Sequence, residues 1–595
     1  MGVLVGVLVV LGGFSLAHAA TAGRAAIHGK SALLRSQDLI AGQNLDAARA
    51  ELQGARADFD KTRREMATAT RFLPVVRYLP VVRNQVRGVE TLADAGLVLS
   101  DAGLSLSDAA QVLVAPGDDS ASFSDALGEL RNIRGLMATG LNSIDAAAST
   151  VSRLDGSFLP GPVGDARSEF NRRLPEVRQR AADSEAALAA MITFVGGNGP
   201  RNYLFLSQNP DEVRPTGGFI GTYGVLTGIG GKLAVTRYDS IESWMAAHPD
   251  AVMGPDERGS PYRYDPGLPQ RIANVNTTPD WPQAAEMAAR LWARGGEAPV
   301  DGVISFSPAF LARILSVMGS VTVDGYDETI TSANLVERLD FYTHQQRDTL
   351  GTERKAFIAV LAKVVMDRLI EARTSQWASL GKVVADAFVA REAMAWSSDG
   401  EVSSVLSARR WDSALPAVAG DFAYPAEFEY AAKNGRSLRR TYQHHVTLRP
   451  DGSGTVTTSV RISNPKPLEA FANPAGVLDY VTLYGPQGAT LAEGSDPLSL
   501  AEPEVAGHPA RGWFRPLNPE TETTVTIVWD VPHLATQRPD GTWVYSLLWM
   551  RLPDHTGDIL QLGFDLPDGW RWADQAPPGQ VALDHDISGT WALTT

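Results

Sequence analysis

The spacing of apolar residues predicts a helical N-terminal part of the chain. Leu45, Leu52 and Phe59 recur every seven residues, as on one face of an α-helix. Tandem Leu-x-Asp-Ala heptads then fill residues 92–109, with small Ala and Gly positions that allow close helix packing. We therefore expect an elongated helical stalk or bundle over residues 24–198.

Beyond the helical region, short β-like runs alternate with helical patterns. Tyr203–Leu206 and Gly221–Thr227 are typical of buried strands, whereas Gln283–Trp292 and Ala356–Ile370 have helical periodicity. Strands that alternate with helices indicate an α/β or α+β fold. We expect a core domain of this class over residues 199–415.

The C-terminal part has the strand–turn–strand pattern of an all-β domain. The dipeptide Asp451-Gly452 separates the β-rich run His445–Leu448 from Thr455–Val460, and Asp-Gly between two such runs is a specific hairpin signal. Similar runs continue to Trp549. The economical prediction is a β-sandwich over residues 425–595.

The first 23 residues form an apolar segment without Asp, Glu, Lys or Arg from Gly2 to Gly23. About 20 apolar helical residues suffice to cross a bilayer, so residues 1–23 suit a transmembrane anchor. Ala17-His18-Ala19 also has the form that precedes a cleavage site, which leaves a cleaved signal segment as the alternative. The anchor predicts a single-pass protein of the cytoplasmic membrane whose bulk is extracytoplasmic. The basic residues that follow the segment, from Arg24 onward, favour the opposite orientation on charge bias alone.

Composition excludes several classes of function. Among 595 residues there is no cysteine, which removes disulfide scaffolds, zinc ribbons, iron–sulfur clusters and thiol nucleophiles. The formal net charge of −15 argues against a general nucleic-acid binder. Neither H-E-x-x-H nor G-x-S-x-G occurs. His444 and His445 are adjacent on a predicted strand and should point to opposite faces, which argues against a histidine metal site.

The most distinctive motif runs from Arg214 through Thr216, Gly217 and Gly218. A guanidinium, a hydroxyl and the backbone N–H groups of adjacent glycines could form a concavity that holds a phosphate. The alternative is a structural turn that leads into a strand, with Arg214 paired to Asp211 or Glu212. The residues alone leave both interpretations open.

Further polar residues downstream fit phosphoryl-transfer chemistry, in which Asp holds a metal or activates the acceptor and Arg neutralises phosphate. They equally fit ordinary surface salt bridges. These residues are Arg237, Asp239, Asn276, Asp301, Arg347 and Arg354.

Several spaced motifs resemble a bacterial family of membrane-anchored proteins known as domain of unknown function 4012. The matching elements are Arg201–Asn209, Arg214–Phe219, Pro279–Pro282, Val300–Ile304 and Glu353–Phe357. The resemblance implies an anchor, a helical region, a core domain and a β-rich tail, which would cover nearly the whole chain. It implies no reaction.

The core is also similar, more weakly, to the LytR–CpsA–Psr cell-wall ligases, which transfer glycans from a polyprenyl pyrophosphate lipid to peptidoglycan. This similarity implies that Arg214, Asn276, Arg347 and Arg354 bind substrate, together with the loop residues Thr216, Gly217 and Gly218 considered above. It also implies that Asp239 and Arg237 are catalytic, with Mg²⁺ a possible cofactor held by Asp239. Two departures stand out. Arg237 and Asp239 are not adjacent, and Gly217-Gly218 replaces an acidic residue.

Two functional hypotheses follow. The first is a membrane-anchored protein of cell-envelope glycan assembly whose core binds a polyprenyl-linked phosphate and transfers glycan to the cell wall. The second is a non-catalytic envelope binding or scaffold protein with a degenerate ligase-like core. Convergence of the arginines in one cleft would favour the first hypothesis, whereas arginines paired singly with Asp or Glu would favour the second.

Overall fold

The computed structural model describes residues 2–42, 44–72, 80–114, 127–154, 158–159, 161–264, 267, 269–323, 326–342, 353–430, 435–465, 477–555 and 557–595. The chain divides into two compact units. The first unit comprises residues 1–199, 230–232 and 373–378, and the second comprises residues 200–229, 233–372 and 379–595.

The first unit is helical, as the heptad pattern predicts. Its long helices are α1 Gly2–Ala41, α2 Leu45–Phe72, α3 Pro80–Val114, α4 Leu127–Ser152 and α5 Pro162–Phe194. This confirms the helical N-terminal region.

Small residues let α2 and α3 pack closely. Leu52 and Phe59 of α2 are buried, and a Cβ atom added to Gly96 of α3 would lie 2.7 Å from the Phe59 ring. Gly103 faces Leu52 in the same way, at 2.5 Å. The tandem Leu-Asp-Ala-Gly heptads are therefore packing positions, and the glycines serve close approach.

The apolar N-terminal segment lies within α1. The side chains of residues 2–15, on which the anchor hypothesis depends, lie outside the described part of the structure. Among the described residues, no helix combines the length and the apolar character needed to cross a membrane. The anchor at residues 1–23 stays a prediction.

The α/β part of the second unit is built around a five-stranded sheet in the order β3-β2-β1-β4-β7. Its strands are β1 Arg201–Arg214, β2 Gly217–Ile229, β3 Lys232–Ser240, β4 Gly302–Phe306 and β7 Ala393–Ser397, with the hairpin β5 Val321–Val323 and β6 Tyr326–Ile330 beside it. The helices are α6 Ile241–Ala247, α7 Trp281–Arg294, α8 Pro308–Met318, α9 Leu335–Asp340, α10 Glu353–Ile370, α11 Trp377–Val389 and α12 Gly400–Ala408. β1 pairs antiparallel with β2 and parallel with β4, so the sheet is mixed.

Helix α7 packs its aromatic face on this sheet. Trp281 and Trp292 are 0% and 2% exposed, and the Trp292 ring stacks on Trp244 with centroids 5.3 Å apart. The three indoles share a buried cluster with Leu204 of β1 and Val303 of β4. A full indole buries 150–250 Å², so this face fixes α7 against the sheet.

The C-terminal strands form two further sheets. One has the order β12-β15-β10-β9-β18-β20, and the other β13-β14-β11-β8-β17-β21-β19 with β16 beside β17. The bounds are β8 Asp421–Tyr430, β9 Arg439–Leu448, β10 Gly454–Asn464, β11 Val477–Tyr484, β12 Thr490–Leu491, β13 Leu500–Val505, β14 His508–Leu517, β15 Thr521–Val531, β16 Ala535–Gln537, β17 Trp543–Trp549, β18 Ile559–Asp565, β19 Arg571–Trp572, β20 Gln580–Ala582 and β21 Ile587–Thr594.

One hydrophobic cluster takes residues from both C-terminal sheets. Tyr442 of β9 and Trp549 of β17 meet in it, with ring centroids 5.2 Å apart. The predicted Asp451-Gly452 turn joins β9 to β10, and Gly452 has a φ of 82° that favours glycine. The β-rich C-terminal region is confirmed.

The C-terminal strands and the α/β part lie in the same compact unit. The Tyr424 hydroxyl of β8 donates to the carbonyl of Pro215, and Arg391 pairs with Asp586 at 2.7 Å. The Arg214 guanidinium donates to the carbonyl of Glu429 in β8 at 2.8 Å. The division at residues 415–425 stays a sequence-based prediction, and the contacts that cross it are extensive.

Candidate binding site

Arg214 ends β1 and is enclosed by the fold, with 5% of the residue exposed. Its guanidinium donates to Asn274 Oδ1 at 3.1 Å and to the carbonyls of Val213 and Glu429, each at 2.8 Å. The same group lies over the Phe428 ring, 3.9 Å from its centroid. These contacts connect β1 to the segment 272–277 and to β8. They are contacts to backbone carbonyls and to one amide oxygen, and the pairing with the Asp211 or Glu212 carboxylate stays a prediction.

The glycines after Arg214 permit a close backbone approach. Gly217 has a φ of 131°, and the Gly218 N–H donates to Gln208 Oε1 at 2.8 Å. A Cβ on Gly218 would overlap the carbonyl of Asn209. Asn276 Nδ2 donates to the Gly218 carbonyl at 2.8 Å. The loop and Asn276, predicted to bind the same ligand, are therefore brought together and hold one another.

Three buried polar atoms around this loop have no hydrogen-bond partner within the described part of the chain. They are Gln208 Nε2, Thr216 Oγ1 and Asn276 Oδ1, on residues 4%, 3% and 0% exposed. Unpaired buried donors and acceptors usually bind ordered water. The loop is enclosed rather than open to a large ligand.

Arg237 lies in different surroundings from Arg214. Its guanidinium pairs with Glu297 at 2.9 Å and lies 4.8 Å from the Trp292 ring centroid, and 40% of its side chain is exposed. Burial opposes ionisation of Glu297, but hydrogen bonds from Arg237 and Trp244 outweigh it and lower the pKa of this carboxyl. Within the described part of the chain, Arg237 thus pairs with one carboxylate and stacks on the α7 aromatic face.

Asp239 lies exposed at the end of β3, where Oδ1 accepts the N–H of Ser240 at 2.6 Å. Ser240 then caps α6 by accepting from the Glu242 N–H at 3.2 Å. Tyr238, between Arg237 and Asp239, faces the other side of the strand, and burial raises the pKa of its phenol to about 12. The local sequence therefore serves a strand-to-helix junction.

The other predicted site residues are either not described by the structure or take part in contacts that hold the strands together. Arg347 lies outside the described residues, and Arg354 lies in the first turn of α10 with its side chain outside them. Across the described ranges, no three Asp, Glu or His side chains are grouped as metal ligands. Asp301 pairs with Arg201 at 3.0 Å and accepts from the Asn202 N–H at 2.8 Å, which ties β1 to the start of β4.

A cavity of about 200 Å³ lies beside the segment that carries Asn276. Its walls come from residues 253–263, residues 275–278 and helix α7 on one side, and from β8, β11 and β13 on the other. Both walls belong to the second compact unit. This cavity is the candidate binding site.

Glu502 of β13 forms one polar wall of the cavity, with 2% of its side chain exposed. Its carboxylate accepts hydrogen bonds from Tyr264 at 3.0 Å and from Ser260 and Tyr480, and Arg263 lies 3.8 Å away. Burial, followed by the charge of Glu502, raises the pKa of both phenols. Three hydroxyl donors hold this carboxylate in one position.

Gln270 fixes the opposite wall, and the residue is fully buried. Its side-chain oxygen accepts from the Gly259 N–H at 2.8 Å, and its amide nitrogen donates to Thr277 Oγ1 at 2.9 Å and to the Asn274 carbonyl at 2.5 Å. One buried amide thus ties the loop 254–263 to the segment 272–277. The cavity is preformed on both sides.

Sequence reasoning missed this site. Gly259, Gln270 and Glu502 are separated by up to 243 positions, and none belongs to a recognisable motif. The one local signal was the loop from Gly254 to Tyr264, where Pro and Gly alternate with charged and aromatic residues. That composition predicts a loop, and loops carry binding residues disproportionately.

The fold comprises a helical region, a mixed sheet with helices, and C-terminal β-sheets. The mixed sheet and the C-terminal sheets lie in the same compact unit. The family model described as "Protein of unknown function (DUF4012)" matches residues 198–342. This match confirms the predicted resemblance to the family over residues 198–342. The match includes Arg214, Arg237, Asp239 and Asn276, together with one wall of the cavity. Searches of curated proteins and of solved structures found no match.

Proposed function

We propose that the chain is a membrane-anchored, extracytoplasmic envelope protein that binds a cell-envelope glycan without transferring it. The observation that carries this proposal is the engagement of the expected catalytic and phosphate-binding groups in the fold itself. Arg214 is enclosed at 5% exposure, and Arg237 is paired with Glu297. A guanidinium so enclosed cannot contact a lipid phosphate unless its loop opens.

The preformed cavity supports binding as the function. Its polar walls are held by Gln270 and Glu502, whose partners are already in place. Preorganised groups bind a ligand with little loss of side-chain entropy. The described contacts of Asp239 and Ser240 serve the junction between β3 and α6.

The proposal includes a ligase-like core domain and a C-terminal β-sandwich. The mixed sheet with its helices is compatible with the α/β core that the similarity to the LytR–CpsA–Psr ligases implies. The hydrophobic cluster shared by the two C-terminal sheets supports a β-sandwich. The core is then a ligase-like domain retained for recognition.

A transfer assay tests the absence of catalysis. Membranes containing the full chain are incubated with Mg²⁺, a polyprenyl-diphosphate-linked glycan and peptidoglycan, and the glycan is followed by mass spectrometry. We expect the glycan to be retained by the protein and to stay on its lipid. Asp239→Asn, and the exposed control Asp250→Asn, should both behave like the wild type.

Glycan transfer that requires Asp239 but not Asp250 would refute the proposal and establish the ligase hypothesis.

The predicted membrane anchor is tested separately, by fractionation. A retained anchor keeps the native protein in the membrane fraction through carbonate washes, whereas a soluble form that begins near Ala20 would establish the signal segment.

A further inference from the structure

The cavity beside residues 275–278 is small and lies between two parts of the fold. At about 200 Å³ it lies below the roughly 300–1,000 Å³ of sites for drug-sized ligands. A whole polyprenyl tail or oligosaccharide exceeds this volume. One six-membered ring with its substituents would fit in this volume.

The charges that line the cavity balance. Arg258 and Arg263 stand against Glu257 and Glu502, which gives no net charge. Arg263 lies 3.8 Å from Glu502. The hydrogen bond from the Gly254 N–H, with the help of Arg294, lowers the pKa of Glu257 despite burial, so this carboxylate is ionised at neutral pH. A site built for phosphate would carry an excess of cations, so the cavity favours a neutral ligand.

The lining can both donate and accept hydrogen bonds around an apolar surface. Gln283 contributes an amide, and Thr278 and Tyr484 contribute hydroxyls, groups that can both donate and accept. Thr278 and Gln283 already share one hydrogen bond, at 3.3 Å. Met253 and Met287 supply adaptable apolar contacts nearby. A ligand that fits this wall carries several hydroxyl groups on a compact carbon ring.

We propose that the cavity binds a single neutral sugar ring, as the terminal residue of a glycan or as the free monosaccharide. This assignment rests on the proposed function and names the chemistry of its ligand. Glu502 and Gln270 are lining residues whose carboxylate and amide groups are held in place by hydrogen bonds. The two walls come from residues on both sides of position 420, so the site requires the C-terminal strands.

Direct titration of the purified full chain tests the proposal. Calorimetry or ligand-detected NMR is carried out with N-acetylglucosamine, galactose, mannose and, separately, inorganic phosphate. We expect at least one sugar to bind and phosphate neither to bind nor to compete.

Two variants on α7 locate the binding. Gln283 and Glu286 are both exposed on this helix, and of the two only Gln283 is among the cavity-lining residues. Gln283→Trp places an indole at the cavity and should weaken sugar binding at least tenfold. Glu286→Trp should change the affinity less than twofold, and thermal melts should show that both variants fold.

The outcomes separate this proposal from the proposed function. Equal sugar binding by the two variants, or competition by phosphate, would overturn the cavity assignment. If the wild type binds no sugar but still retains an envelope glycan, the cavity assignment fails and the proposed function stands. If it binds neither, both fail.

Discussion

Arg214 is a buried cation held by carbonyl and amide oxygens and by the face of Phe428. Lysine keeps the charge but cannot reproduce the planar fork or the stacking. Loss of charge-assisted hydrogen bonds inside the fold costs about 1.5–3 kcal/mol. We therefore expect Arg214→Lys to lower the free energy of unfolding by about that amount, measured by urea denaturation at pH 7.

Arg237→Lys is the matched control, since Arg237 is 40% exposed and paired once, with Glu297. Exposed pairs contribute about 0–1 kcal/mol, so its stability should stay close to that of the wild type. If Arg214→Lys were as stable as the wild type but bound polyprenyl phosphate less tightly, Arg214 would be a ligand residue after all.

The free energy of unfolding should depend on pH through the buried carboxyl of Asp558. Burial raises the pKa of its carboxyl to about 6; the charge of Arg440 opposes this shift and that of Glu427 adds to it. The unfolded value is about 3.9. Between these two values the native state binds more protons than the unfolded state, so this group's contribution to the free energy of unfolding falls as the pH rises.

Asp558→Asn removes that contribution. The stability of the variant relative to the wild type should therefore rise from pH 4 to pH 6, by an amount on the order of 2 kcal/mol. Urea denaturation at several pH values measures it, with the exposed Asp568→Asn as control. A difference that stays constant with pH would mean that the Asp558 carboxyl titrates alike in both states.

At the scale of elements, the turn between β1 and β2 depends on a glycine that leaves no room for a side chain. A Cβ on Gly218 would overlap the Asn209 carbonyl across the strand pair. The backbone must shift to relieve this overlap, which also moves the acceptor of Asn276. Gly218→Ala should lower the free energy of unfolding by more than about 2 kcal/mol, in the range of a strained buried substitution.

Gly221 on the same strand is the control, since a Cβ there would meet no atom within 4 Å. Alanine at this position reduces the entropy of the unfolded chain and should leave stability unchanged or raise it by about 0.4–1 kcal/mol. Thermal melts of the two variants side by side measure the difference. Equal melting temperatures would show that the β1–β2 turn can relax.

At the scale of the whole molecule, the α/β part and the C-terminal strands should unfold together. Ile527 of β15 is fully buried in the C-terminal cluster, and its truncation to alanine costs about 2–5 kcal/mol. Because Arg214 and Tyr424 connect the two parts, hydrogen-exchange protection should fall in β1 as well as in β10.

Mass spectrometry of peptides from the two strands measures this coupling, with Val528→Ala on the opposite face of β15 as control. Loss of protection confined to the C-terminal strands would show that residues 199–415 and 425–595 are independent domains, as the sequence predicts.

Local periodicity by itself determined much of the secondary structure of this protein. The helices of the first unit, the strands β1 and β2, helix α7 and the Asp451-Gly452 hairpin all depend on residues fewer than about ten positions apart. His444 is 1% exposed, whereas 47% of the His445 side chain is exposed. The two side chains point to opposite faces because side-chain direction in a strand repeats every two residues. The family motifs are local sequence as well.

Only the tertiary structure decided which polar residues are used by the fold. In its local sequence, Arg214 resembles a phosphate ligand. In the folded chain it is enclosed by Phe428 and the Glu429 carbonyl, which are more than 200 residues away. The cavity likewise exists because Glu502 meets Ser260 and Tyr264. The free energy of an arginine or a carboxylate depends on its burial and on the partners that long-range packing brings to it, and no local pattern encodes either.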